Sequence, residues 1–252
     1  MRSVVEILNK IISSHSVVKV SLRHARKING MKEILKFLKE LNRNNNREWF
    51  EAHKCDYLKI KAKVEDLAQR LINEVAKFDS EAAYLAPSDC TYRIYRDTRF
   101  SQDKTPYKNH IGIFVNPPYG KKVNRMGYYL HLEPGNSLLA AGTVCLPSKT
   151  VTAIRKSIFD NVEEYLAIVE SPGFKEVYPE VGENCLKTAP KGFPKDWEYL
   201  PLVRPRDYVA SHMLSDAELC ESGFIEKAGR LFAVAKPFND FINFAIDEEG
   251  EL

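Results

Sequence analysis

His110-Ile111-Gly112-Ile113-Phe114-Val115, the turn Asn116-Pro117-Pro118-Tyr119-Gly120, and then Gly127-Tyr128-Tyr129-Leu130-His131-Leu132-Glu133 decide what kind of fold this chain of 252 residues adopts. The first run is short, apolar and closed by turn residues, which predicts a strand. The second alternates, so a period of two places Tyr128, Leu130 and Leu132 on one face and Tyr129, His131 and Glu133 on the other. Pro134-Gly135-Asn136 turns the chain into Ser137 to Cys145, and the runs 127–133 and 137–145 predict an antiparallel hairpin. Cys90 to Tyr95 reads as a further strand with Tyr92 and Ile94 facing inward.

On either side the period lengthens to that of a helix. Ile34, Leu35, Phe37, Leu38 and Leu41 share one helical face, and the run Asn42-Arg43-Asn44-Asn45-Asn46 stops it. Asn46 is suited to cap a second helix, whose apolar stripe from Trp49 to Phe78 predicts about 32 residues and a length on the order of 48 Å. After the strands, Pro147 suits a first helical turn, with Val151, Ile154, Ile158 and Phe159 as the apolar set. A short helix follows over Val162 to Val169. Residues 187–210 read as an extended wrapping segment with at most one edge strand. Ser215 and Glu218 form a capping box, and a last helix around Ile225 to Ile246 must bend near Pro237. Helices, then antiparallel strands, then helices predict an α+β fold. Its form is a single domain with a sheet of about four to six strands packed by N-terminal and C-terminal helices. The domain spans 31–246, preceded by an extension over 1–30 (an over-long start or a targeting segment) and followed by an acidic, frayed tail over 247–252.

A composition of 44% hydrophobic and 28% charged residues excludes a disordered chain, a collagen-like repeat and a disulfide-stapled miniprotein. The net charge of +3 is uneven. Residues 1–30 carry six basic groups against Glu6, and Arg93 to Lys108 carry five against Asp97 and Asp103; the remainder is net −5. Attraction for anions is therefore local, which argues against a generally nucleic-acid-coating surface. Five dispersed cysteines without a C-x-x-C pair and six dispersed histidines predict free thiols in the cytoplasm and no zinc site. No stretch approaches the roughly 20 apolar residues of a membrane span.

The segment that can carry chemistry is Arg93-Ile94-Tyr95-Arg96-Asp97-Thr98-Arg99-Phe100-Ser101-Gln102-Asp103-Lys104-Thr105-Pro106-Tyr107-Lys108. If a strand continues past Tyr95, Arg96 shares a face with Ile94, so either the strand ends there or Arg96 is buried with a partner. Pro106 forbids continuous pairing and makes 101–107 a loop. Arginine offers a planar fork and lysine a point charge, so Arg93, Arg96, Arg99, Lys104 and Lys108 suit a phosphate or carboxylate. Tyr107 and its aromatic neighbours wall off water, and Asp97 and Asp103 orient the guanidinium groups. The structural alternative is an ion-pair network that only pins the loop. Asp97 and His131 are the candidate acid–base residues; flanking cations would hold Asp97 ionised and favour an orienting role. Arg204-Pro205-Arg206-Asp207-Tyr208 echoes the main cluster. There is no P-loop, G-x-G-x-x-G, G-x-S-x-G or H-E-x-x-H, and no metal or cofactor is implied.

The signature R-x-x-R-D-x-R-F followed by D-K-x-P-Y resembles that of the domain-of-unknown-function 2461 family. Asn45-Asn46-Arg47-Glu48-Trp49-Phe50, Gly127-Tyr128-Tyr129-Leu130 and Pro190-Lys191-Gly192-Phe193 resemble the same family. The resemblance spans about Met31 to Ile246 and implies that the Arg93–Tyr107 signature matters to folding or function, without naming a reaction. Three functions are therefore expected in competition: a site for a small phosphorylated or carboxylated ligand, with or without metal-independent catalysis; a single-stranded nucleic-acid binder stacking bases on Tyr95, Phe100 and Tyr107; and an interaction module in which the cluster only locks the fold.

Overall fold

The first helical stripe buries as its spacing requires. In the computed structural model, which describes residues 30–250, helix α1 (30–43) turns Ile34, Leu35, Phe37, Leu38 and Leu41 inward. The extension expected over the first residues lies outside that range. Asn46 caps α2 (Arg47–Ala52) by accepting the Trp49 N–H at 2.9 Å. The single long helix expected from Asn46 is instead two, α2 and α3 (Lys54–Val75). His53 makes the break. Its backbone leaves the helical region (φ −106°, ψ 15°), its ring stacks on Trp49 at 4.0 Å, and its Nδ1 lies 2.8 Å from the Trp49 carbonyl oxygen. The ring thus adds a second contact to a carbonyl that already accepts the His53 N–H at 3.0 Å, an effect the apolar stripe does not register.

Cys90 ends a helix, α4 (Pro87–Cys90), rather than lying in a strand. Pro87 fits the first turn, and the Asp89 carboxylate accepts the Ala86 N–H at 3.0 Å. Beyond it, Thr91 and Tyr95 make only isolated bridges, to Ile113 and Tyr107. Ile94 is buried as expected, but Tyr92 is exposed.

The sheet has five strands: β1 (Ile111–Val115), β2 (Gly127–Leu132), β3 (Ser137–Thr143), β4 (Val181–Glu183) and β5 (Asp207–Leu214). Their order is β1-β2-β3-β5-β4, and every neighbouring pair is antiparallel. The expected hairpin is β2–β3, with Leu130 opposite Leu139 and Gly127 opposite Gly142. The strand at the end of the wrapping segment is not at the edge: β5 pairs with both β3 and β4, and β4 is the edge.

Helices return as α5 (Ser148–Asp160), α6 (Val162–Val169), α7 (Pro172–Val177), α8 (Asp216–Leu219), α9 (Phe224–Val234) and α10 (Lys236–Gly250). The Ser215/Glu218 capping box is present. The last helix does not bend at Pro237 but divides at Ala235, which puts Pro237 in the first turn of α10, where its missing N–H costs nothing. Asp247, expected in a frayed tail, is helical and pairs with Arg125, while Glu249 pairs with Lys149.

The strand registers place Ile111, Ile113, Tyr128, Leu130, Leu139, Ala141 and Ala210 on one face, and both hydrophobic cores draw on it. Its β1–β2 side packs with α1, α3 and α9, and its β5 side with α5, α6 and α10. The other face carries Gly112, Phe114, Tyr129, Leu138, Ala140 and Gly142, and these form part of the lining of an open groove of about 440 Å³.

Candidate functional site

The arginine segment folds back on itself. Arg96 N–H donates to the Pro106 carbonyl at 2.9 Å and Lys108 N–H to that of Ile94 at 2.8 Å, flanking the Tyr95–Tyr107 bridge. Asn45 clamps the hairpin from the α1–α2 turn: its side-chain oxygen accepts the Tyr107 N–H at 3.1 Å and its amide donates to the Tyr107 carbonyl at 2.9 Å. Phe50 then stacks on Tyr107 at 4.0 Å. The Asn45–Phe50 run and the arginine signature are thus one structural unit. Tyr107, expected at the ligand wall, is only 3% exposed and anchors the hairpin.

Within the hairpin most cations have internal partners. Arg96 bonds the Asp103 carboxylate and the Thr105 hydroxyl. The Thr105 N–H and the Arg96 guanidinium hold the Asp103 carboxyl down at about 2. Arg99 grips Asp97 through two side-chain bonds of 3.0 and 2.7 Å, which holds the Asp97 carboxyl below its ordinary value. Lys104 donates to the Thr98 carbonyl at 2.9 Å. Asp97 and Asp103 are thus each bonded to an arginine of the hairpin. Arg96 borders a second cavity of about 340 Å³ with Arg47, Glu51, Tyr95, Thr98 and Tyr107. Arg93, Arg99 and Lys104 line neither cavity.

Lys108 is the member of the cluster that faces the sheet groove. Among the described residues it makes no ion pair. Burial, and then the nearby Arg93 charge, push its ammonium below its ordinary value, and Glu183 lines the same groove. Lys121 enters the same groove from the turn after β1. Both ammonium groups lie over the Tyr92 ring, at 5.4 and 5.8 Å, and Lys121 also donates to the Ser88 and Thr91 carbonyls.

Beside the lysines lies a hydrogen-bonded chain built on the alternation of β2. Tyr129 Oη is 3.1 Å from His131 Nδ1, and His131 Nε2 is 3.1 Å from Glu133 Oε2. The other oxygen of Glu133 accepts from the Asn109 amide, whose own oxygen lies 3.0 Å from His110 Nδ1. His110 stacks on His131 at 4.5 Å. Burial, followed by the His131 and Lys108 charges, lowers the His110 imidazole to about 4. Burial raises the Tyr129 phenol to about 12. Against burial, the Asn136 amide and His131 hold the Glu133 carboxyl below its ordinary value. A Cβ on Gly112 would come within 2.6 Å of Tyr129 Oη, so only glycine lets the ring lie across β1.

His131 is the middle of a hydrogen-bonded chain that reaches the groove through Tyr129 and does not itself line it, and Lys108 is shared with the sequence-derived cluster. Lys121, Tyr92, His110, Glu133 and Gly112 were not picked out by sequence, although the Y-x-H-x-E alternation over 129–133 carried a signal. The Arg204–Tyr208 echo does not reach the arginine hairpin's cavity. Its Asp207 is buried, accepting from the Cys145 N–H at 2.7 Å and from Asn184. Among the described residues no group of His, Cys, Asp and Glu could hold a metal ion, and no helix is long and apolar enough to cross a membrane. A family model described as "Conserved hypothetical protein (DUF2461)" matches residues 33–241. No match was found among curated proteins or among solved structures.

Proposed function

The chain belongs to the family of conserved hypothetical proteins DUF2461, and on that premise we propose that it binds a small phosphorylated or carboxylated ligand in the groove on the open face of its sheet. The observation that carries this reading is Lys108, half-buried, without an ion-pair partner among the described residues and lowered first by burial and then by Arg93. An anion there would relieve that repulsion and gain charge-assisted bonds from Lys108 and Lys121. Arg96, Arg99 and Lys104 serve the hairpin that presents Lys108, which joins the ligand-binding and structural roles expected of the cluster. A second reading, single-stranded nucleic acid, is favoured by Phe100, which is 95% exposed beside Arg99. A steep fall of oligonucleotide affinity with salt would support it. Five unpaired cysteines fit a cytoplasmic location.

A thermal-shift screen against inorganic phosphate and phosphorylated and carboxylated metabolites tests the first reading. A ligand at a hundred times its dissociation constant adds about 2.7 kcal/mol, a rise of roughly 5–11 °C at this size. Lys108→Ala should lose the shift without losing stability, and Arg96→Ala, which loosens the hairpin that presents Lys108, should weaken it. Shifts unchanged by Lys108→Ala, or none with any anion, would overturn the proposal.

A further inference from the structure

We infer that the ligand of this groove carries, beside its anionic group, a hydroxyl or amino group, and that Tyr129 and His110 recognise it by accepting its hydrogen. The inference rests on the groove being the ligand site; it adds the chemical class that the site selects.

One carboxylate sets the direction of every hydrogen in the chain behind the groove. Glu133, ionised, can only accept. Its Oε2 faces His131 Nε2, so His131, whenever its ring is neutral, holds its proton on Nε2 and presents a lone pair at Nδ1. Tyr129 Oη is the partner of that lone pair, so the phenolic proton points at His131 and the oxygen keeps only lone pairs for the groove. The second branch ends the same way. Asn109 donates its amide hydrogen to Glu133, which leaves its oxygen to accept from His110 Nδ1. The neutral His110 ring then carries its proton on Nδ1, and Nε2, without a partner among the described residues, is an acceptor.

The groove is lined by two amines, Lys108 and Lys121, by Tyr129 and His110, whose unfilled positions are acceptors, and by Asn124, Thr143, Glu183 and Ser211. A ligand that is an acceptor throughout, such as a bare dicarboxylate, satisfies the lysines and leaves lone pair facing lone pair at Tyr129. A hydroxylated or aminated anion satisfies both. Leu138, Ala140 and Val209 offer the carbon skeleton an apolar floor. Glu133 and Asn109 are positioning residues, because they act through the two rings.

Matched pairs differing by one hydroxyl test this: 2-hydroxyethyl, 3-hydroxypropyl and 4-hydroxybutyl phosphate against ethyl, propyl and butyl phosphate, titrated calorimetrically into the full chain. At least one hydroxylated partner should bind about tenfold tighter, the worth of one net hydrogen bond. Tyr129→Phe should cut that preference several-fold while phosphate binding persists. Nitrogen NMR of labelled histidine should show His131 protonated at Nε2. Equal binding within every pair, a preference untouched by Tyr129→Phe, or a proton on His131 Nδ1 in the neutral ring would each overturn the inference. Lys108-dependent binding without a hydroxyl preference sinks this inference alone, whereas no Lys108-dependent binding sinks the groove reading and this inference with it.

Discussion

Gly112→Ala probes the open face through a single methyl group. The added Cβ would meet Tyr129 Oη at 2.6 Å, Cε2 at 2.7 Å and Cζ at 3.0 Å. Ordinary contact is about 3.5–4.0 Å, so the ring must withdraw by roughly 1 Å. That movement takes Oη off His131 Nδ1, 3.1 Å away in the native arrangement. Overpacking of this kind costs about 1–3 kcal/mol, and the lost hydrogen bond about 1 kcal/mol. Replacing a strand glycine by alanine returns about 0.5–1 kcal/mol. The net loss is about 2 kcal/mol, a fall in Tm of roughly 4–8 °C for a chain of this size. Urea unfolding measures it, and a cycle with Tyr129→Phe locates it. Without Oη the closest contact disappears, so Gly112→Ala should cost about 1 kcal/mol less in that background. Unchanged stability in the single variant, or strict additivity in the double, would refute the placement of Tyr129 over β1 and the hydrogen-bond chain that depends on it.

Other consequences are open to measurement. Asp207→Ala removes a buried acceptor from the Cys145 N–H and the Asn184 amide, at two residues held in left-handed backbone (φ 59° and 51°); it should cost about 2–4 kcal/mol in urea unfolding with unchanged slope, and a loss under about 0.5 kcal/mol would contradict the tether. His110 is lowered in the fold from 6.5 to about 4, so the native state binds fewer protons than the unfolded chain within that window. Its contribution to stability is therefore complete above about pH 6.5 and is lost as pH falls towards 4. His110→Gln should flatten the stability profile there, and an unaltered profile would count against burial of the neutral ring. Arg96→Ala should speed amide exchange at Arg96 and Lys108 by loosening the hairpin; exchange no faster than in the parent would mean that the Asp103 and Thr105 contacts do not hold it.

Elements whose identity rests on local periodicity were legible before the structure. The α1 stripe, the Asn46 cap, the β2–β3 hairpin and the Ser215 box each depend on residues within a few positions of one another, where backbone geometry alone decides who is neighbour to whom. The structure departs from the periodic pattern where a specific side-chain contact or a distant strand intervenes. His53 breaks a helix by stacking on Trp49 and reaching its carbonyl; Pro87 and Asp89 favour a helical turn where the pattern around Cys90 predicts a strand; β5 is interior because β4 arrives from a separate part of the chain. The arginine cluster was visible as composition, but its distribution of charge was not. Coulombic pairing falls with distance, so whether Asp97 and Asp103 neutralise their neighbours is a matter of hairpin geometry.

The order of amino acids by itself determined which side chains share a face, because a period of two or 3.6 is a property of the backbone and needs no partner. It placed Tyr129, His131 and Glu133 together and set them against the apolar Tyr128, Leu130 and Leu132. Only the tertiary structure decided that both hydrophobic cores would gather on the apolar side of the sheet, leaving the polar side as a groove. It also brought Lys121 over the same ring as Lys108 and supplied Asp103 to Arg96 but, among the described residues, no ion-pair partner to Lys108. Those outcomes depend on how far apart groups lie once helices from both ends of the chain compete for one apolar face, and separation in space is not written in the spacing along the chain.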